Sequence, residues 1–268
     1  MIVQMATPQL ELWRIDGEFV NLPHTHDDEF QITVPIRGAC RFTQENKDYD
    51  LQIGDGLVQH PRERHSFHIG LQSGVLIFKV RQSRMKELAG GKEPEFSLRQ
   101  RLDPSSVAGK FRKWTNALLA CDPSDRLAKE ETETQVLSYL YNALSGNQPR
   151  DRGRAPSAAV FGTDPFLGRV LDYIHANYAG EIRIDTLAEL AAQSRYHFIR
   201  SFKAETGSTP YQYVLRLRME EAKRRLRNSD ESVTDIGFGL GFSSASQFYR
   251  VFMKAVGVTP EQFRHFRR

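Results

Sequence analysis

Over the first 80 residues apolar and polar positions alternate with a period close to two. Leu10, Leu12 and Ile15 open one strand, and Phe30-Gln31-Ile32-Thr33-Val34 forms another that stops at Pro35. Gly38 marks a turn before Cys40-Arg41-Phe42, Gly54-Asp55-Gly56 separates two apolar runs, and Ser66-Phe67-His68-Ile69 and the stretch 74–80 follow. Short strands at this spacing, divided by turn signals, predict an all-β sandwich or barrel. From about residue 105 to 144 the period lengthens: Leu118, Leu119, Leu137, Leu140, Tyr141 and Leu144 recur at helical spacing, with a break near Cys121-Asp122-Pro123. This predicts a helical hairpin against the barrel, its apolar face used either within the chain or to pair subunits.

Residues 146–157 (GNQPRDRGRAPS) lose all periodicity and carry two prolines, two glycines and three arginines, the composition of an exposed linker. Beyond it the chain reads as consecutive helices. Phe166, Val170, Ile174 and His175 form the stripe of the first, and Asp185 or Thr186 is placed to cap the next, LAELAAQ. A helix from about Arg195 to Glu205 then buries Phe198, Phe202 and part of Ile199, and turns Arg195, Tyr196, Arg200 and Lys203 outward. Thr209-Pro210 starts a longer helix to Asn228, since proline suits a first helical turn.

This part of the chain repeats itself. Ser194, Phe198, Arg200, Phe202, Gly207, Thr209, Pro210 and Gln212 recur 50 residues later as Ser244, Phe248, Arg250, Phe252, Gly257, Thr259, Pro260 and Gln262. In the second copy a short helix starts at Asp235, turns through Gly241-Phe242 and restarts at Ser243 or Ser244, leaving Ala245, Ser246, Gln247, Tyr249 and Arg250 off the core face. Two short helices joined by a glycine-bearing turn are a helix-turn-helix, and an in-register repeat means two of them, at about 187–208 and 235–258. The intervening helix, roughly 25–30 Å long, can hold the two motifs about one DNA turn, roughly 34 Å, apart.

Composition sharpens this picture without changing it. The 268 residues, 40% hydrophobic and 26% charged, suit two soluble globular domains, 1–145 and 158–268, flanking the linker. Residues 158–268 carry 16 Lys and Arg against 12 Asp and Glu, whereas residues 1–157 carry 21 of each. The whole positive excess therefore lies with the repeated motif, which favours a polyanionic partner there. Cys40 and Cys121 suggest no disulfide framework. The N-terminus lacks the signature of a signal peptide, and the most apolar run, 75–80, is interrupted by Lys79. The expectation is a cytoplasmic protein with no membrane association.

The N-terminal half holds one chemically suggestive set: His24, His26 and Glu29, then His60 and His65. A His-x-His on a strand puts both rings on one face, and with a carboxylate and a histidine from the next hairpin such a set can ligate a transition metal. The pattern resembles that of cupins. The second cupin segment usually has Pro-x-Gly before its histidine, and Pro61-Arg62-Glu63-Arg64-His65 lacks that glycine. Three readings stand: a metal site, a metal-free pocket lined by some of these residues, or structural and surface histidines. We take the metal-free pocket, with no metal and no cofactor. Arg37, if it points inward, suits a carboxylate or vicinal hydroxyls on a small ligand.

Asp235-Ile236, Gly241-Phe242-Ser243, Phe248, Phe252, Gly257, Thr259-Pro260 and Arg264 resemble the C-terminal signature of the AraC/XylS family of bacterial transcription regulators, with Gly237 where the family usually has alanine. The resemblance implies an α+β, two-domain protein: a cupin-like β-barrel with a helical hairpin, and an all-α domain with two helix-turn-helix motifs. It implies a ligand-responsive, sequence-specific regulator, an activator working beside RNA polymerase, with double-stranded DNA and a small-molecule effector as partners; the apolar face over residues 105–145 makes a homodimer the expected assembly. By position it places base contacts at Tyr196, Ile199, Arg200, Ala245, Ser246, Gln247 and Arg250. Ser194, Arg195, Lys203 and Ser244 complete the expected DNA-binding set, and His24, His26, Glu29, Arg37, His60 and His65 are the expected effector-binding set. Nothing catalytic is expected; the competing reading is a cupin-type metalloenzyme fused to a DNA-binding domain.

Overall fold

The computed structural model describes residues 1–122, 125–146 and 165–265. It divides into two compact units: Met1–Leu119 with Gln135–Ala155, and Ala120–Thr134 with Pro156–Arg268. The linker expected over 146–157 lies, beyond Gly146, outside the described residues.

The first unit is a two-sheet β-structure with helices on one side. Its strands are β1 (Ile2–Thr7), β2 (Leu10–Asp16), β3 (Phe19–Val20), β4 (Glu29–Arg37), β5 (Cys40–Gln44), β6 (Lys47–Leu51), β7 (Asp55–Gln59), β8 (His65–Ile69), β9 (Gly74–Arg81) and β10 (Arg99–Arg101). They form a six-stranded sheet in the order β1-β2-β9-β4-β7-β10 and a four-stranded sheet in the order β3-β8-β5-β6. The pairs are antiparallel throughout. Helix α1 (Gln82–Leu88) lies between β9 and β10, and α2 (Pro104–Ala120) and α3 (Arg126–Ser145) follow β10. Alternation along the strands sorts the side chains into two cores. In β9, Leu76, Phe78 and Val80 join Phe111 and Trp114 of α2 and Val136, Leu137 and Leu140 of α3. Val75 and Ile77 turn the other way and meet Cys40, Phe42 and Ile69 of the smaller sheet. A strand buried on both faces reads as a continuous apolar run, which is why 74–80 looked so hydrophobic. Leu119, expected on the apolar stripe of the hairpin, is 62% exposed. Cys40 and Cys121 are buried thiols.

The second unit holds the first turns of α3 and then α4 (Pro165–Asn177), α5 (Ile184–Leu190), α6 (Arg195–Thr206), α7 (Pro210–Asn228), α8 (Val233–Gly239), α9 (Ala245–Val256) and α10 (Pro260–His265). Each half has its own core, with α7 running through both. Val170, Ile184, Leu187, Phe198, Phe202 and Val214 pack together with Leu127 of α3. Met219, Ala222 and Leu226 of α7 meet Ile236, Phe242, Phe248 and Phe252.

The 50-residue repeat now has physical meaning, position by position. Ser194 and Ser244 are N-caps, their hydroxyls accepting from His197 N and Gln247 N at 3.4 and 3.2 Å. Gly207 and Gly257 close the helices with φ of 72° and 86°, the left-handed conformation that a side chain resists. Thr209 with Gln212, and Thr259 with Gln262, exchange side-chain and backbone bonds as reciprocal capping boxes.

Two starts differ from expectation. Helix α5 begins at Ile184, so neither Asp185 nor Thr186 caps it; the Arg183 side chain at the cap position makes no capping bond. The Ile184 N–H instead donates to Oε2 of Glu130 at 2.8 Å, a carboxylate carried by α3. Helix α8 starts two residues before Asp235, at Val233, where the Ser232 hydroxyl accepts from Asp235 N at 3.0 Å. At Gly237, a Cβ would stand 3.0 Å from the Phe248 side chain, so the departure from alanine lets that ring approach closely.

Candidate DNA interface and effector pocket

Helices α6 and α9 each follow a turn after a shorter helix, and each buries two phenylalanines: Phe198 and Phe202, Phe248 and Phe252. What remains on the open side is the surface that a nucleic acid can meet. In α6, Arg200 and Lys203 are exposed and Tyr196 is half-buried. The Tyr196 ring lies 5.8 Å from the Arg200 guanidinium, which also donates to the tyrosine hydroxyl at 3.4 Å. In α9, Ser246 and Arg250 are exposed and Ala245 is half-buried, while Ser194 and Ser244 sit exposed at the two helix starts.

Three residues of the expected DNA-binding set have other partners. Ile199 is 7% exposed and belongs to the core that also holds Ile184, Leu187 and Phe198, so its side chain is turned from solvent. Arg195 is bound by both guanidinium arms to the Asp185 carboxylate of α5, with only 14% of its side chain exposed. Gln247 is 4% exposed; its Nε2 donates to the Ala120 carbonyl at 3.3 Å and its Oε1 accepts from Arg250. Periodicity placed Gln247 off the phenylalanine face correctly, but it carries no information about a segment from elsewhere in the chain covering that face.

In the first unit, three of the expected histidines converge. His24, His26 and His65 have ring centroids 4.4–5.3 Å apart, and one ring nitrogen from each lies within 4.8 Å of the others. The His-x-His is not on a strand. His24 makes an isolated bridge to His65, and the loop, not strand alternation, brings the rings together. Nδ1 of His24 is 2.9 Å from the Leu22 carbonyl and Nδ1 of His65 is 3.1 Å from that of Glu63. Nε2 of both His26 and His65 is buried with no hydrogen-bond partner among the described residues. Of the described residues, this trio is the group able to hold a metal ion; Glu29 is not in it. Burial holds the His26 and His65 imidazoles down at about 4, and the Lys79 charge pushes the same way at His26. Both rings are therefore neutral near pH 7.

Glu29 lies 3.8 Å from His26 Nδ1 and 3.8 Å from Arg81, and burial raises its pKa above the usual carboxylate range. Two members of the expected effector set lie apart from the trio. His60 follows Gln59 in β7, so the period of two turns it to the opposite face, where it packs edge-on against Phe30 at 5.2 Å and accepts weakly from Phe96 N. Arg37 is outward, its side chain 61% exposed, donating to the Gln72 carbonyl at 3.1 Å and lying 3.5 Å from Asp16.

Sequence reading missed the polar residues that share the trio's face. Gln31, Thr33, Gln44 and Gln59 are at most 4% exposed. Gln31 donates to Thr33 at 3.3 Å and Thr33 to Gln59 at 3.4 Å; Gln44 pairs in register with His65 and donates to Glu63 at 2.6 Å. Yet Gln59 Nε2 and Gln44 Oε1 have no hydrogen-bond partner among the described residues. The signal was present in Phe30-Gln31-Ile32-Thr33-Val34, but a half-buried strand would turn Gln31 and Thr33 to water. Here the second sheet covers them.

Residues 12–140 match the family model described as an AraC-like ligand binding domain, and residues 187–265 match a helix-turn-helix domain. The chain is 37% identical over 250 residues to the uncharacterized HTH-type transcriptional regulator YobQ of Bacillus subtilis, covering 92% of this chain and 91% of that protein. It is 38% identical over 251 residues to the HTH-type transcriptional activator RhaS of Pectobacterium carotovorum, covering 91% and 88%. The DNA-binding domain of AdpA, solved in complex with a target DNA, aligns at 31% identity over 39% of this chain and 93% of that one, with a TM-score of 0.36. A strand-rich ligand domain joined to a helical domain with two helix-turn-helix motifs defines a ligand-responsive, DNA-binding transcription regulator, and these are families of regulators rather than enzymes. The chain belongs to the AraC family.

Proposed function

We propose that the protein reads one face of a duplex with α6 and α9 in successive major grooves. The observation that carries this is the position-by-position equivalence of two capped helices on either side of α7, a 19-residue helix about 28 Å long. Tyr196, Arg200, Ala245, Ser246 and Arg250 face the bases; each arginine can bond guanine O6 and N7 together. Ser194, Lys203 and Ser244 position the phosphates. Ile199 and Arg195 support α6 from within, and Gln247 joins the reading set only once its present contact is lost. The proposed action is activation beside RNA polymerase in the cytoplasm, as a homodimer paired through residues 105–145; the activator named among the relatives supports the sign of regulation. Among the described residues no helix is long and apolar enough to cross a membrane.

The effector site we assign to His24, His26, His65 and Glu29, joined by Gln31, Thr33, Gln44 and Gln59. Buried polar atoms without partners are costly unless something else satisfies them, and this face holds four. The test is a thermal-shift screen of small molecules on the whole protein, followed by selection of duplexes from a random library with and without each hit. A hit that raises the unfolding midpoint and alters duplex binding supports the reading; failure to enrich any duplex rejects it.

A further inference from the structure

Residues Ala120–Asp122 and the first turns of α3 fall within the span matched as ligand-binding domain, yet they pack in the DNA-reading unit. Their carboxylates sit where helix starts need acceptors. Glu130 takes the Ile184 N–H at the start of α5, and Glu131, 6% exposed, takes the Tyr211 N–H at 2.9 Å in the first turn of α7. Asp125 lies 3.6 Å from Arg218 of α7, with both side chains nearly buried. Arg218 in turn donates to the Tyr178 and Gly180 carbonyls and stacks against Phe242, the turn residue of the second motif. Leu127 is part of the core of the first motif. This is an anchored segment rather than a grazing contact.

Its leading end covers the second recognition helix. One oxygen of Asp122 accepts both the backbone N–H of Ser243, at 3.0 Å, and the Ser243 hydroxyl. The Ala120 carbonyl holds Gln247. An anionic oxygen on a backbone N–H and a hydroxyl beside a helix start is the arrangement a DNA phosphate oxygen also takes. Asp122 and a backbone phosphate would compete for the same donors, and two like charges cannot share them. Among the described residues the first recognition helix carries no such cover over Arg200 and Lys203, which are exposed.

We propose that Ala120–Asp122, anchored by α3, is an intramolecular clasp that masks the start of α9 by standing in for DNA phosphate, so that the second motif engages DNA only when the clasp lets go. This rests on the reading of α9 as a DNA-reading helix. Without release the protein holds DNA through α6 alone; with release Ser243, Ser246, Gln247 and Arg250 become one continuous face.

The experiment uses the full-length protein, a duplex enriched from a random library, and the variants Asp122→Ala and Asp122→Asn. Asp122→Ala is expected to bind the enriched duplex about tenfold more tightly than wild type, with Asp122→Asn in between because it keeps an acceptor but loses the charge. In wild-type protein, adding the duplex is expected to speed amide hydrogen exchange at Ala120–Asp122 while slowing it in α9, a readout that does not depend on how a variant folds. Equal affinity for wild type and Asp122→Ala, or protection of Ala120–Asp122 kept in the DNA complex, overturns the clasp and leaves DNA reading intact. If neither protein enriches any duplex, the DNA-reading assignment fails and the clasp fails with it.

Discussion

Arg195 at the start of α6 is clamped by Asp185 of α5, guanidinium to carboxylate through both arms. The position fifty residues later is Ala245, and Asp235, the counterpart of Asp185, bonds Ser232 instead. The two motifs share a backbone plan but hold their paired helices together by different means. In the first, a charge that sequence reading assigned to DNA braces the motif. Arg195→Ala is therefore expected to cost about 1.5–3 kcal/mol of unfolding free energy, the range for a hydrogen bond to a charged group, while sequence preference on DNA stays as it was. Denaturant unfolding and binding to specific and scrambled duplexes separate the two effects; a normal midpoint with lost discrimination contradicts this assignment.

Arg200 and Arg250 should behave oppositely. Each is exposed on its recognition helix, and truncation to alanine is expected to weaken binding to the enriched duplex by about 1–3 kcal/mol with little change in stability. A loss of equal size on scrambled DNA would reduce the arginine to a phosphate contact. For Arg250 the released Gln247 partner adds a second, smaller effect in the free protein.

Gln59→Leu makes a test of the effector pocket that a merely structural glutamine would fail. The amide nitrogen of Gln59 is buried without a hydrogen-bond partner among the described residues, so leucine removes an unmet donor, while loss of the amide oxygen takes from Thr33 its acceptor at 3.4 Å, a cost of about 1–3 kcal/mol at most. The variant is expected to fold with a midpoint equal to or modestly below that of the wild type and to lose the ligand-induced thermal shift. An unfolding free energy lowered by more than about 3 kcal/mol, beyond the loss of the Thr33 bond, would show that Gln59 is held by contacts other than a ligand's.

The pH dependence of the barrel follows from His26 and His65. Unfolded, an imidazole takes up its proton near pH 6.5, roughly its unperturbed value; folded, burial delays uptake to about 4. Between those values the unfolded chain binds more protons, so stability falls as the pH drops from about 6.5 through about 4 and is insensitive to these groups above that window. Thermal midpoints of the wild type across this range, compared with His65→Gln, check it: the variant's slope should be shallower. A wild-type midpoint that stays level would falsify the neutral, buried state of the two rings.

Gly241 turns the chain in the second motif with φ of 81°, and a Cβ there would meet the Ala179 carbonyl oxygen at 2.5 Å. Gly241→Ala is expected to cost roughly 1–3 kcal/mol or more, from left-handed strain and backbone collision together. Calorimetry on the purified variant measures this; retention of the full wild-type midpoint would mean the turn can open without cost.

Much of this molecule was legible along the chain, because its signals are local. A serine before a helix, a glycine after it and a threonine-proline-x-glutamine run act on backbone groups three or four residues away, so Ser194, Gly207 and Gln212 and their counterparts announced the two motifs from composition and spacing alone. The strand alternation and the helical hairpin were readable for the same reason. Other features depended on what came from a distance. Alternation cannot say whether the second face of β4 meets water or another sheet, so nothing along the chain singled out Gln31 and Thr33, while His60 and, if inward, Arg37 entered the expected effector set. Helical periodicity shows which residues leave the core of α9, but a carbonyl more than 120 residues away decides that Gln247 is covered. The chain itself determines the caps, the turns and the hydrophobic stripes, since each is settled within a few residues by backbone hydrogen bonding and side-chain period. Only the tertiary structure decides which polar groups are buried, paired or left waiting, because that turns on which distant segment displaces water from them.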